Sequence, residues 1–373
     1  MVDADKPQRI ERLMPLEDAL ACIDRRVAPV APRRLALDHA FGRTRAGDMI
    51  VASAHPRAAI ALRDGVALRA EATLDASSYA PIPVAATAVE TGDPLPPGAD
   101  AVAPVEVIEM RGAATDVFAP LAPGDGVLSA GGDIPAGAPF GRSARRQRAV
   151  DLAALAILGL TDLEARAPRI CITTAKPARA AVIDAIIGLL ARAVDGAGGI
   201  AVTAAHDCAG LAGAIDHSDA DAIMIVGGSG AGRRDQAVRE LAQRGEVGFH
   251  GVGLTPGETA AFGTVGTRPV LVVPGRLDAA LAVWLTLGRG MLARLAGCED
   301  NETGETGALV QKITSTLGLA ELVPLAREGE RLMPLAAGYL PLQALAGADG
   351  YVLVPADSEG FAAGTRVVMR PLP

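Results

Sequence analysis

The chain has 373 residues, half of them hydrophobic, and a formal net charge of −8. Its acidic balance argues against nucleic acid as the main partner, which would need a concentrated basic surface. Four cysteines, Cys22, Cys171, Cys208 and Cys298, form no C-x-x-C pair. They read as free thiols in a reducing compartment rather than as a zinc site or a disulfide framework.

The length suggests two to four domains. The segment Met1 to Leu13 is charged and has no apolar core of the kind a signal peptide carries. No apolar run reaches the roughly 18 residues of a membrane span. The expectation is a cytoplasmic protein.

Leu16, Ala19, Leu20 and Ile23 recur at helical spacing over Pro15–Val27, and Pro29 and Pro32 stop the helix. A short helix or turn follows near Leu37–Gly42. From Met49 to Phe140 proline and glycine recur between short apolar runs such as Val84–Ala86 and Ala101–Val107, which reads as a β-rich domain. Ala149–Leu158 is an alanine/leucine helix with Gly159 at its end.

Strands and helices then alternate. Strands are predicted at Ile170–Thr174, Gly199–Thr203, Ala222–Val226 and Val270–Val273. Helices are predicted at Ala181–Val194, Cys208–Ile215, Arg239–Arg244 and Ala279–Leu295. That order implies a doubly wound parallel sheet. Asn301–Gly307 reads as a linker, and short β runs at Leu322–Leu325, Tyr351–Val354 and Arg366–Met369 as a small β domain.

The stretch with most chemical content is Asp221–Asp235. An unbroken apolar run, Ala222–Val226, ends in Gly227, Gly228, Ser229, Gly230, Ala231 and Gly232, and helical composition resumes at Asp235. Glycines at a strand-to-helix junction let main-chain N–H groups approach an anion, and α/β sheets bind ligands at such junctions. The spacing is neither a P-loop nor a clean dinucleotide fingerprint. Thr173–Pro177 and Pro274–Asp278 end two further strands, so three junctions would border one crevice. Asp235 reads either as a helix N-cap or as a site residue. Arg233 and Arg234 read as a solvated pair or as phosphate contacts. His206, His217 and His250 are not spaced as ligands of one metal.

The order of these parts resembles the molybdopterin molybdenumtransferases, the MoeA and gephyrin E-domain family. The markers are T-G-D-P-L-P-P-G-A-D-A-V from Thr91 to Val102, G-D-I-P-A-G ending at Gly137, and Gly227–Asp235. Supporting matches are Asp64-Gly65, Pro256-Gly257 with Ala261–Gly263, Pro274-Gly275, Ala348–Gly350 and Glu359-Gly360.

The resemblance implies an α/β multidomain protein. A molybdopterin-binding α/β domain would span 168–300 and a β-rich insertion 46–140. A helical linking domain would combine 1–45 with 141–167, and a C-terminal β domain would span 306–373. It implies insertion of molybdate into adenylylated molybdopterin with nucleotide release, Mg²⁺ as cofactor, a homodimer, and a molybdoenzyme or cofactor-biosynthesis partner. By motif, Thr91, Asp133 and Asp235 would act in catalysis. Gly227, Gly228, Ser229, Gly230, Gly232, Arg233, Thr173, Thr174, Pro274, Gly275 and Arg276 would bind the ligand. No metal ligand is assigned.

The departures concentrate on polar positions. The family's F-D-N-S-A-M-D-G-Y-A is Ala58–Ala67 here, with apolar residues in place of the acid, amide and hydroxyl. S-T-G-D-E is Thr173–Pro177, without its carboxylates. K-P-G-K-P is Thr255–Thr259, which replaces two lysines and gains Glu258. P-G-N-P is Pro274–Leu277. Ser129, Ala130 and Gly132 replace two arginines and a glutamate in the R-R-x-G-E-D turn. Each charge-assisted hydrogen bond removed from an anion site is worth about 1.5–3 kcal/mol. Two alternatives to the enzyme therefore stand. One is a catalytically degenerate paralogue binding a pterin, nucleotide or metallocofactor as a carrier or maturation factor. The other is a protein-interaction scaffold.

Overall fold

A computed structural model describes residues 8–111, 114–175, 180–203, 210–215, 220–232, 235–299 and 303–373. The chain divides into two units, one of residues 48–142 and one of 1–47 with 143–373.

In the larger unit, helix α1 (Leu16–Arg26) buries Leu16, Ala19, Cys22 and Ile23. These four share one helical face, and they join the core cluster of the α/β domain. Asp162–Arg166 pairs antiparallel with Arg33–Ala36 and with Thr44–Arg45. The segment expected to be only helical thus carries a small sheet, built from runs too short to show a period. The predicted helix after it is found at Ala149–Ile157.

The α/β domain runs β1 (Arg169–Thr174), α2 (Ala181–Gly196), β2 (Ile200–Thr203), α3 (Gly210–Ile215), β3 (Ala222–Val226), α4 (Ala237–Arg244), β4 (Glu246–His250), β5 (Ala261–Val265) and β6 (Arg268–Val273). The strands lie in the order β2-β1-β3-β6-β5-β4. The first four are parallel, and β5 and β4 add antiparallel. Every residue of β3 is buried, as a strand covered by helices on both faces requires. One face packs Met224 and Val226 into the larger core, and the other packs Ile223 and Ile225 against Leu211, Val238 and Leu241.

Leu277–Ala296 is one continuous helix, α5 (Leu277–Val283) and α6 (Arg289–Ala296) joined by a π-helical turn at Trp284–Gly288. Its 20 residues are long and apolar enough by composition to cross a membrane, although Asp278, Arg289 and Arg294 interrupt the apolar run. The most apolar window is 78% buried inside the fold, so the helix serves here as a core element.

The C-terminal strands are β7 (Glu305–Leu309), β8 (Ala320–Glu328), β9 (Arg331–Pro334), β10 (Gly350–Val354) and β11 (Arg366–Pro371). Their pairings close a ring, β8-β9-β7-β11-β10 and back to β8. Period-two alternation splits β8 between two cores. Val323 and Leu325 fill the ring, whereas Leu322 joins the α/β core. Glu305–Gly307, expected in a linker, belong to β7.

The unit of residues 48–142 holds two three-stranded antiparallel sheets. One orders Thr87–Val89, Gly65–Leu68 and Ala101–Pro104, and the other Ile82–Val84, Ala114–Val117 and Ile108–Arg111. Val66, Leu68, Val84, Ala101, Ala103 and Val117 form the core they share.

Candidate functional site

Chain order places β2 on one side of β1 and β3 on the other, so the crossover direction reverses between β1 and β3. The carboxyl ends of these two strands are where an open sheet leaves a crevice. The loop Gly227–Gly232 begins there. Gly227 and Gly228 both have left-handed backbones, φ +85° and +73°. A side chain at Gly228 would put its Cβ 2.7 Å from the Cβ of Ala175, at the end of β1, and 3.1 Å from that of Ala237. Gly275, after β6, lies against Gly227, its own Cβ position 3.5 Å from the Gly227 Cα. Three strand ends meet at this loop.

Hydrogen bonds fix the loop at both ends. The Gly227 N–H donates to the Val273 carbonyl at 2.7 Å. Asp235 accepts from the Gly232 N–H through Oδ2 at 3.1 Å and returns its own N–H to the Gly232 carbonyl at 2.9 Å. Asp235 therefore closes the loop on itself. The N-cap of α4 is Gln236, and the first helical amide, Ala237 N–H, donates to the Gly228 carbonyl at 3.2 Å.

The middle of the loop is held through its carbonyls. Gln8 Nε2 donates to the Gly228 and Gly230 carbonyls at 2.8 and 2.6 Å. His250 Nε2 lies 2.8 Å from the Ser229 carbonyl, so this nitrogen carries the proton, because a carbonyl only accepts. Among the described residues, no hydrogen bond is formed by the N–H groups of Gly228, Ser229, Gly230 and Ala231. An oxyanion would supply their acceptor.

The remaining predicted site residues are placed as follows. Ser229 is 2% exposed and its hydroxyl meets that of Thr259 at 2.9 Å. Its hydroxyl is thus engaged within the protein. Thr173 and Thr174 are buried at the end of β1. Pro274 is buried and Gly275 half-buried.

Arg276 pairs bidentately with Asp278, the Nε contact being 3.1 Å, and its guanidinium lies 5.2 Å from the Tyr339 ring centroid. The bond to Asp278 raises the Arg276 pKa above its ordinary value, with smaller contributions from Asp278 charge and Glu258. Glu258, the acid gained at a former lysine position, accepts from the Thr255 hydroxyl at 2.6 Å and the Gly257 N–H at 3.1 Å. Arg233, with Arg234, Lys176, Cys208, His206 and His217, lies outside the described residues.

Thr91 and Asp133 belong to the 48–142 unit. Thr91 gives its hydroxyl to Asp64 Oδ1 at 2.8 Å. Asp133 Oδ2 is 3.8 Å from His55 Nε2 and its carboxylate is about half exposed.

Sequence reasoning missed Gln8, Thr259 and His250 as loop partners. Gln8 reaches a loop 220 residues away, and no spacing rule carries such a contact. His250 ends the strand Glu246–His250, whose glycine-broken sequence gave no signal of it.

With this geometry described, the chain can be set beside known proteins. A family model for the MoeA N-terminal region, domains I and II, matches residues 14–159. Molybdopterin molybdenumtransferase 2 of Mycobacterium tuberculosis is 27% identical over 382 aligned positions, covering 90% of this chain and 94% of that protein. A Methanocaldococcus jannaschii protein named for molybdopterin biosynthesis is 28% identical over 151 residues, 40% of this chain. The match spans about a third, 36%, of that archaeal relative's length. The crystal structure of a MoeA protein from Pyrococcus horikoshii superposes with TM-score 0.76 at 22% identity, covering 96% of this chain and all of that one. The fold is that of multidomain MoeA proteins. The chain is similar to MoeA proteins in sequence, through residues 14–159 and the mycobacterial relative, and in fold over nearly its whole length.

Proposed function

We propose that the chain acts in molybdenum cofactor biosynthesis as a molybdopterin molybdenumtransferase. Molybdopterin, carried as its adenylylated form, and molybdate are the substrates, and the nucleotide is released as AMP. The names of its relatives support the reaction class. The observation that carries the reading is the loop Gly227–Gly232, which offers four unengaged amides at the switch point of the sheet. Such a loop binds a phosphate or molybdate oxyanion through main-chain dipoles, without needing a lysine. Gln8 holds two carbonyls of the loop, and Asp235 holds its Gly232 amide. The cytoplasm and a homodimer belong to the same proposal.

Magnesium has no cage of protein ligands among the described residues; such an ion is ordinarily held by one or two carboxylates with substrate phosphates and water. Among the described residues, no three His, Cys, Asp or Glu side chains converge as metal ligands, so no step is routed through a metal.

A second reading, binding without turnover, is favoured by one observation. The polar side chains expected to work at the site are already engaged: Ser229 with Thr259, Arg276 with Asp278, and Thr91 with Asp64. Incubation with adenylylated molybdopterin and molybdate separates the two. Molybdate-dependent AMP release supports the transferase. Tight binding with no release leaves a carrier or maturation factor, and no binding at all refutes both.

A further inference from the structure

We infer that Gln8 and His250 are positioning residues, which aim the amides of the glycine loop at an anionic ligand. The inference rests on the reading of that loop as the ligand's anion site.

In a trans peptide the carbonyl of one residue and the N–H of the next point in opposite directions. Among the described residues, the only cis peptides are His55–Pro56 and Thr255–Pro256, outside this loop. Gln8 draws the Gly228 and Gly230 carbonyls, and His250 draws the Ser229 carbonyl. The N–H groups of Ser229, Gly230 and Ala231 must each point away from the side chain holding the preceding carbonyl. Three successive peptides are oriented by two side chains from distant parts of the chain. A loop of glycines would otherwise sample many orientations, and a binding site gains when its dipoles are fixed before the ligand arrives.

The segment that delivers Gln8 is itself anchored. Met14 bridges Val252, its N–H donating to the Gly251 carbonyl at 3.1 Å and its carbonyl accepting from the Gly253 N–H at 2.7 Å. Gly251, at φ +95°, lies under Ile10, where a Cβ would overlap the Ile10 methyl. The segment bearing Gln8 is thus fixed to the residues that directly follow His250, His250 being the residue just before Gly251.

The other end of the Gln8 amide points the same way. Its Oε1 is buried with no partner among the described residues. A buried acceptor without a donor is destabilising, so a residue selected only to tether the segment would not carry it. A ligand hydroxyl or amino group beside the bound anion would satisfy it. The ligand class is a phosphate or other oxyanion with a hydrogen-bond donor close by, as in a nucleotide.

The test is calorimetric binding of AMP to the full chain and to Gln8→Ala, Gln8→Glu, His250→Ala and His250→Gln, with Gly230→Asp as a control that puts a negative charge in the loop. Gln8→Ala and His250→Ala should each weaken AMP binding about tenfold. Gln8→Glu should weaken it further, because a carboxylate repels the carbonyls it replaces a donor to. His250→Gln, which restores an N–H donor, should recover most of the affinity, a rescue that bulk packing would not give. Circular dichroism melting keeps unfolding apart from weakened binding. If Gly230→Asp abolishes binding while Gln8→Ala and His250→Ala bind like the wild type, the positioning role is wrong and the loop site stands. Tighter binding by Gln8→Ala would mean that Gln8 occludes the site and would also overturn the inference. If the wild type does not bind AMP, or Gly230→Asp leaves binding unchanged, the loop is not the site and the positioning role falls with it.

Discussion

Thr91 gives both its main-chain N–H and its hydroxyl to one oxygen of Asp64, at 2.7 and 2.8 Å. The two bonds, the main-chain one first, hold the Asp64 carboxyl below its ordinary value. A depressed carboxylate contributes stability above its unfolded pKa and loses it as pH falls through the lower folded value.

Thr91→Val removes the hydroxyl bond and keeps the N–H bond. The Asp64 carboxyl should then titrate at higher pH, but only part of the way to its ordinary value. Carboxyl NMR titration of the variant checks this. The acid limb of the unfolding curve should move toward higher pH with it. An unchanged Asp64 titration would show that the hydroxyl does not act on this carboxylate.

Gly228 is the loop position least able to accept a side chain. A left-handed backbone costs an L-residue about 1–2 kcal/mol, and the new Cβ of Gly228→Ala would press on Ala175 and Ala237. Urea unfolding should show a loss of about 2 kcal/mol or somewhat more. Ligand binding should fall with it, so this variant reports on loop geometry as well as on the ligand itself. Stability equal to wild type would mean that the loop can move away without penalty.

Asp278 ties two features together. Its carboxylate is 3% exposed, pairs with Arg276, and accepts the Leu340 N–H at 3.3 Å. Asp278→Asn keeps the shape and removes the charge. Arg276, whose side chain is 60% exposed, is then freed from its partner beside the loop. The expected outcome is a trade: stability falls by about 1 kcal/mol, while AMP affinity rises severalfold. Chemical denaturation and calorimetry read the two effects separately. A fall in both would show that the Arg276 geometry set by Asp278 is needed for binding.

The core of the fold was legible because burial on two faces leaves a continuous apolar run. Ala222–Val226 is a strand with the bounds expected of it, and the glycines after it stand at the switch point of the sheet. The strands Glu246–His250 and Ala261–Val265 were missed. Their sequences, E-V-G-F-H and A-F-G-T-V, interrupt the apolar pattern with glycines. Gly263, in the second, is needed because a Cβ there would collide with the Glu246 carbonyl across the pair. Of the candidate site, the main chain could be read from composition, but the state of the side chains could not. Ser229 and Arg276 look available in sequence; only the fold brings Thr259 and Asp278 to them. Gln8 illustrates the limit most clearly, since its role arises wholly from a contact across 220 residues.

Everything proposed for the site depends on the ligand's anionic group sitting on the amides of Gly228–Ala231. Amide NMR of the labelled chain during AMP titration reads those groups themselves. Saturable shifts are expected at Ser229, Gly230 and Ala231, and they should vanish in Gly230→Asp. A cavity of about 250 Å³ beside Arg146, Arg192 and Arg289 lies toward the amino ends of the strands, where α2 ends, and offers an alternative basic surface to an anion. Shifts confined to those residues, with the loop amides unmoved, would place the anion there and refute the loop as its site.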